Sequence, residues 1–119
     1  TLVKMNYHIH TDAIKNNLIP PNIAKNKIPF IYASEADLLN VALFGITAKE
    51  WREKNSDKKG NIRDYATLEQ LVVLSNMESI NALLIDQGLT QGERLIQLNK
   101  VAITQMKSLL EGKSIKKLK

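Results

Sequence analysis

The chain contains no cysteine, so disulfides, thiolate metal ligands and a cysteine nucleophile are all excluded. Aromatic residues are scarce at 5%, and we therefore expect a core built mainly of Leu, Ile, Val and Met. No apolar run approaches the roughly 20 residues that cross a bilayer, and no signal peptide opens the sequence. These absences favour a cytoplasmic protein that does not contact a membrane.

The length of 119 residues predicts one domain. A hydrophobic content of 44% with 24% charged residues is ordinary for a globular protein. The sequence begins at Thr1, without methionine, inside what looks like a helical pattern. We therefore expect a piece of a longer protein, in which the active part can lie elsewhere.

The net charge of +5 is concentrated at one end of the chain. Residues 112–119 contain four lysines and no acid, so they account for most of the positive balance. A basic face on the folded domain would favour nucleic-acid binding, whereas a basic terminus is more often a frayed end. The sequence therefore predicts a helical domain over 1–111 and a basic tail over 112–119.

Four stretches begin with the same local pattern, a hydroxyl residue followed three positions later by an acid or Gln. The hydroxyl accepts from an otherwise unpaired backbone N–H, and the later side chain bonds back to the first residue. The pairs are Ser34 with Asp37, Thr47 with Glu50, Thr67 with Gln70, and Thr90 with Glu93. They predict helices over 34–44, 47–55, about 67–87 and about 90–111, after a first helix over 1–18 and an irregular crossing over 19–31.

The stretch 67–87 carries apolar residues around most of its circumference, which is typical of a buried helix rather than a surface helix. We expect it to be the centre of an all-α, compact bundle of about five helices. Its neighbours should enclose it on all sides and leave no cavity beside it. Gly45 and Gly88 stand where helix ends favour a left-handed residue. The short link at Gly88 should fold the last helix back antiparallel to the central one.

No catalytic residue, cofactor site or metal site is indicated, and we expect no enzyme activity. The sequence has no nucleophile elbow and no glycine-rich phosphate loop. His8 and His10 stand two positions apart, so on a helix they point to different faces and cannot share a metal ion. We expect His10 at the edge of the core, hydrogen-bonded to backbone.

Glu78 lies in the middle of the predicted central helix. A buried carboxylate needs a partner or a shifted pKa. Arg52, Arg63 and Arg94 are the candidate partners, since the planar guanidinium matches a carboxylate. A structural ion pair or a solvated position is the favoured interpretation, and a polar slot that binds a ligand is the alternative.

Trp51 lies among basic residues, as an aromatic residue that stacks on single-stranded nucleic acid would. Acids interleave with these bases, so inward packing of Trp51 is favoured over contact with bases. The alternative function is direct nucleic-acid binding. Its candidate residues are Lys58, Lys59, Arg63, Lys113, Lys116 and Lys117.

Seven stretches stand in a characteristic order: NYHIHTDAIK over 6–15, LIPP over 18–21, YASEADLLNVALFG over 32–45, TAKEWR over 47–52, KGNIRDYA over 59–66, NMESINA over 76–82 and ITQMK over 103–107. In this order they resemble the C-terminal region of KilA-N domain proteins of bacteria and their phages. The resemblance covers nearly the whole chain.

The resemblance implies a DNA-binding protein in two parts, in which an N-terminal KilA-N module binds DNA. That module is absent from this sequence, so no DNA-contacting residue carries over to any position. The chain would then be an accessory domain that pairs subunits or contacts another protein. We expect the contact on the outer side of 90–111, with Leu98, Ala102 and Met106 as candidates, or on the first helix.

Overall fold

A computed structural model describes residues 1–118, and the side chains of residues 1–112. The chain forms five α-helices and, within the described residues, no strand, which confirms the all-α prediction. They are α1 (Leu2–Asn17), α2 (Ile28–Phe44), α3 (Ala48–Lys54), α4 (Leu68–Asp86) and α5 (Gln91–Leu118). Two 3₁₀ turns, Lys25–Lys27 and Ile62–Tyr65, lie in the connections.

Among the described residues, no single helix is both long enough and apolar enough to span a membrane. One pair of consecutive segments, Lys25–Phe44 and Ala48–Lys54, has the required length and apolar content together, but the pair is bent by 62°.

Three of the four predicted helix starts are confirmed at the level of hydrogen bonds. The hydroxyls of Thr47 and Thr67 each accept from the backbone N–H three residues later at 3.1 Å. The hydroxyl of Thr90 does the same at 3.2 Å. In each case the acid or Gln side chain bonds back to the threonine N–H. Local side-chain chemistry therefore sets the first turns of α3, α4 and α5.

The predicted start of α2 at Ser34 is wrong, because the helix begins at Ile28. Pro29 occupies the first turn, where a missing N–H breaks no helical hydrogen bond. Ser34 lies inside the helix, and its hydroxyl accepts from the Gln91 amide at 2.9 Å. Asp37 accepts instead from the backbone N–H of Ala48 at 2.9 Å, at the start of α3.

The polar contacts show how the long helices are oriented. Asn6 donates to the Ser75 hydroxyl at 3.0 Å, and Asn17 donates to Asp86 at 2.9 Å. Each pair is separated by 69 positions, so α1 and α4 run in the same direction. At Gly88 a positive φ of 80° reverses the chain, and α5 packs antiparallel to α4 as predicted. The helix α5 runs to Leu118, beyond the predicted end near 111.

The core has two parts, and α4 contributes to both. The larger cluster joins α2, α4 and α5 through Leu38, Leu39, Ala42, Val73, Leu74, Met77, Leu98 and Ala102. The smaller cluster joins α1 to the end of α4 through Ala13, Ile14, Ala82 and Ile85. The helix α4 is therefore the central element, as predicted.

Complete enclosure of α4 was a wrong prediction. The side chains of Leu68, Val72 and Leu83 on α4 are all exposed, so the other helices leave part of α4 uncovered. The helix carries more apolar side chains than the neighbouring elements bury. Its apolar content therefore predicted a greater extent of burial than the structure shows.

The candidate interface on α5 also needs correction. Leu98 is 0% exposed and Ala102 is buried, because both fill the core against α2 and α4. Met106 is half-buried and packs against the same cluster. The predicted seam is thus an internal contact, and Leu98 and Ala102 cannot meet a second molecule.

Candidate functional site

A buried polar network lies where the four long helices meet. Each helix supplies one member: His10 from α1, Glu35 from α2, Asn81 from α4 and Arg94 from α5. None of the four is more than 4% exposed. The network therefore ties together every long element of the domain.

The charged centre of the network is the pair Arg94 and Glu35. The guanidinium donates from Nη1 to Glu35 Oε1 and from Nη2 to Glu35 Oε2, the latter at 3.1 Å. The same Nη1 donates to Asn81 Oδ1 at 3.0 Å, and Nε donates to the Leu89 carbonyl at 3.2 Å. Gln91 adds a further donor to Glu35 Oε2 at 3.0 Å. Both charges are thus paired and hydrogen-bonded, as burial demands.

The bonding partners of Asn81 determine the tautomer of His10. Because Arg94 only donates and the Glu35 carboxylate only accepts, Oδ1 of Asn81 must face Arg94 and Nδ2 must face Glu35, at 3.0 Å. The same Nδ2 donates to His10 Nε2 at 2.8 Å. His10 therefore carries its hydrogen on Nδ1. The predicted backbone partner of His10 was wrong, since Asn81 takes that place.

Burial favours the neutral form of both His10 and Glu35, but it determines the ionisation of His10 alone. Burial lowers the pKa of His10 to about 4; the negative charge of Glu35 opposes this shift, while Arg63 and Arg94 reinforce it. For Glu35, burial favours the neutral acid, but the hydrogen bonds from Arg94, Asn81 and Gln91 and the charge of Arg94 outweigh it and lower the pKa. The network at neutral pH therefore contains a neutral imidazole beside a closed ion pair.

A cleft of about 250 Å³ opens on the other side of His10, which contradicts the predicted absence of a cavity beside the central helix. It lies between α1, α2, α4 and the turn Ile62–Tyr65. Its principal lining residues are Tyr7, His10, Ile14, Tyr32, Arg63 and Glu78. Ala33 and Ala36, two small side chains of α2, also line the cleft.

Glu78 is 4% exposed and forms part of the cleft wall. Its Oε2 lies 4.0 Å from Nδ1 of His10, too far for a hydrogen bond. Burial raises the pKa of Glu78, and the positive charge of Arg63 opposes that shift. Of the three predicted arginine partners, Arg63 is the electrostatic neighbour, whereas Arg94 pairs with Glu35 and Arg52 is exposed.

The residues predicted for nucleic-acid contact do not form one exposed set. Trp51 is buried, as favoured from the sequence, and its ring centroid lies 5.3 Å from that of Tyr65. The Lys58 ammonium lies 5.1 Å above the Tyr65 ring, and Lys59 is exposed. Arg63 is half-buried at the cleft. Lys113, Lys116 and Lys117 lie outside the described side chains.

The two histidines lie in different surroundings. His8 is exposed, and its Nε2 lies 3.3 Å from Asp12 on the next turn, whereas His10 is buried. Across the part of the chain that is described, no three potential metal ligands come together.

The sequence interpretation missed Glu35 and Asn81, although a signal for both exists. Glu35 stands three, four and seven positions before the buried Leu38, Leu39 and Ala42, so it lies on their face of the helix. Asn81 stands four positions after the buried Met77. A polar residue that interrupts a buried apolar stripe predicts a buried hydrogen-bond network.

Acidification from about pH 7 to about pH 5 should destabilise the native chain by roughly 2 kcal/mol more than the His10→Gln variant. The ordinary pKa of histidine is 6.5 and that of folded His10 is about 4, so between these values the unfolded chain binds more protons. Stability due to neutral His10 is therefore present above pH 6.5 and is lost as the pH falls towards 4. Urea unfolding at both pH values measures the difference.

The other ionisable groups around His10 make the variant comparison necessary. Glu35, Arg63, Arg94 and Glu78 all face it, and the raised pKa of Glu78 gives a dependence of opposite sign. These groups remain in the variant, so they cancel in the difference. An equal loss of stability in both proteins would contradict the buried neutral imidazole.

Comparisons of the chain with protein-family models, with curated proteins and with solved structures give no match.

Proposed function

We propose that this chain is a non-enzymatic helical domain that pairs copies of its protein through the outer face of α5. The observation that carries this proposal is a row of three large apolar side chains on that face. Ile96, Ile103 and Leu110 are exposed to 60%, 61% and 51%, and each stands seven positions after the previous one.

A spacing of seven favours another helix as the partner. An isolated straight helix drifts by about 20° per seven residues, so a row of this period stays in contact with a partner only when two helices wind around each other. Bulky apolar side chains aligned on a surface also mark sites of association. A second copy presents the same row, and a two-fold pair brings identical surfaces together.

The proposed context is a DNA-binding parent protein of the KilA-N type, and it rests on the resemblance of the seven stretches between 6 and 107. Paired copies would suit such a parent, because dimeric DNA-binding proteins read two half-sites with matching symmetry. The chain would supply the pairing, and the N-terminal module of the parent would supply the DNA contact.

Replacing Ile103 with glutamate should convert a dimer into a monomer, because it buries two carboxylates at the centre of the paired rows. Light scattering coupled to size-exclusion chromatography measures the mass. Leu83→Glu is the matched control, since Leu83 is also an exposed apolar residue but lies on α4. A wild-type mass equal to the monomer at the highest soluble concentration would disprove the pairing.

The absence of cysteine allows a second, independent measurement. An Ile103→Cys variant carries a single thiol at the middle of the row, which should form an intermolecular disulfide under mild oxidation. A Leu83→Cys variant should remain monomeric under the same conditions. Equal cross-linking of both variants would show random collision instead of a defined pair.

A further inference from the structure

The cleft beside His10 brings together two opposite charges that do not bond to each other. Glu78 and Arg63 both line it and interact electrostatically. Among the described residues, however, they do not form an ion pair, and neither the Glu78 carboxyl nor the Arg63 guanidinium has a hydrogen-bond partner. Both side chains line the cleft with their hydrogen-bonding groups unused, so each is available to a bound molecule.

The lining of the cleft also includes apolar and aromatic side chains. Ile14 is fully buried, Tyr32 is half-buried and Tyr7 is exposed. The volume of about 250 Å³ lies below the range of roughly 300–1,000 Å³ that is usual for drug-sized ligands. The cleft therefore suits a small molecule with an apolar body.

We propose that this cleft binds a small zwitterion of the free amino acid class, with its ammonium group against Glu78 and its carboxylate against Arg63. Such a ligand gives each of the two charges a partner of opposite sign. Charge-assisted hydrogen bonds of this kind are the strong ones, and the guanidinium can hold a carboxylate through two parallel bonds. The apolar side chain of the ligand would lie along Ile14 and the two tyrosines.

A ligand with only one charged group would pair with only one of the two charges in the cleft. An amine without a carboxylate leaves the guanidinium unpaired and adds a positive charge, whereas an acid without an amine leaves the Glu78 carboxyl unpaired. His10 does not change this balance, because its neutral imidazole presents Nδ1–H towards Glu78. A ligand with both groups keeps the cleft neutral overall.

Two amino acids and their single-charge analogues test the proposal on the unmodified chain. The probes are L-phenylalanine with phenethylamine and 3-phenylpropanoate, and L-leucine with 3-methylbutylamine and 4-methylpentanoate. Titration followed by amide NMR shifts should show saturable binding of at least one amino acid, with shifts centred on His10, Arg63 and Glu78. Each analogue that lacks one charge should bind at least about tenfold more weakly.

Variants that remove one charge test whether Glu78 and Arg63 form the binding site. Glu78→Gln and Arg63→Gln should each weaken amino acid binding at least about tenfold. Glu53→Gln and Arg52→Gln remove exposed charges on α3 and should leave it unchanged. The proposal is overturned if neither amino acid binds the folded wild-type chain, or if an analogue binds as tightly as its parent amino acid.

Discussion

Replacing Arg94 with methionine is expected to lower the free energy of unfolding by about 3–5 kcal/mol. Methionine keeps an unbranched apolar stem but removes every donor. Glu35 would then retain a buried carboxylate that has lost both bonds from Arg94, and Asn81 would lose the bond to its Oδ1. Urea unfolding followed by circular dichroism at neutral pH measures the loss.

Two further variants separate the ion pair from a general effect of removing charge. Arg52→Met removes an exposed guanidinium and should change stability by no more than about 0.5 kcal/mol. The double variant Glu35→Gln with Arg94→Met should recover part of the loss, because no isolated charge remains in the core. If Arg94→Met were as mild as Arg52→Met, the buried position of the pair would be refuted.

Replacing Leu98 with alanine is expected to cost about 2–5 kcal/mol of stability. The side chain is 0% exposed and packs among Leu39, Val73 and Met77 in the larger core cluster. Its removal leaves a cavity that the surrounding helices fill only in part. Urea unfolding of dilute protein gives the change and keeps association out of the measurement.

Ile96 provides the matched control on the same helix, two positions earlier. It is 60% exposed, so Ile96→Ala should change the stability of the dilute protein by no more than about 1 kcal/mol. The same variant should weaken pairing if α5 associates as proposed. Stability and association are thus expected to depend on different faces of one helix. Equal destabilisation by both alanine variants would argue against this division.

The starts of α3, α4 and α5 were predictable because their determinants are local. Thr47, Thr67 and Thr90 each bond to groups three residues away, so the pattern is complete within one helical turn. The same pattern at Ser34 failed because α2 already begins at Ile28, so the backbone N–H groups after Ser34 lie inside the helix and need no cap.

The site was far less predictable. Arg63 and Glu78 were recognised as candidates and His10 was expected at the edge of the core, but their shared cleft depends on how α1 lies against α2 and α4. Burial of α4 was overestimated for the same reason, since composition does not show which face a neighbour covers.

The sequence by itself determined the all-α class, the ends of most helices and the reversal at Gly88, since these depend on hydrogen bonds and backbone angles over a few residues. Only the tertiary structure decided that Arg94 pairs with Glu35, 59 positions away, and not with Glu78. It also decided that Leu98 is core while Ile96 faces solvent. The physical reason is that distant pairing depends on which helix faces meet, and several faces of these helices are apolar enough to be buried.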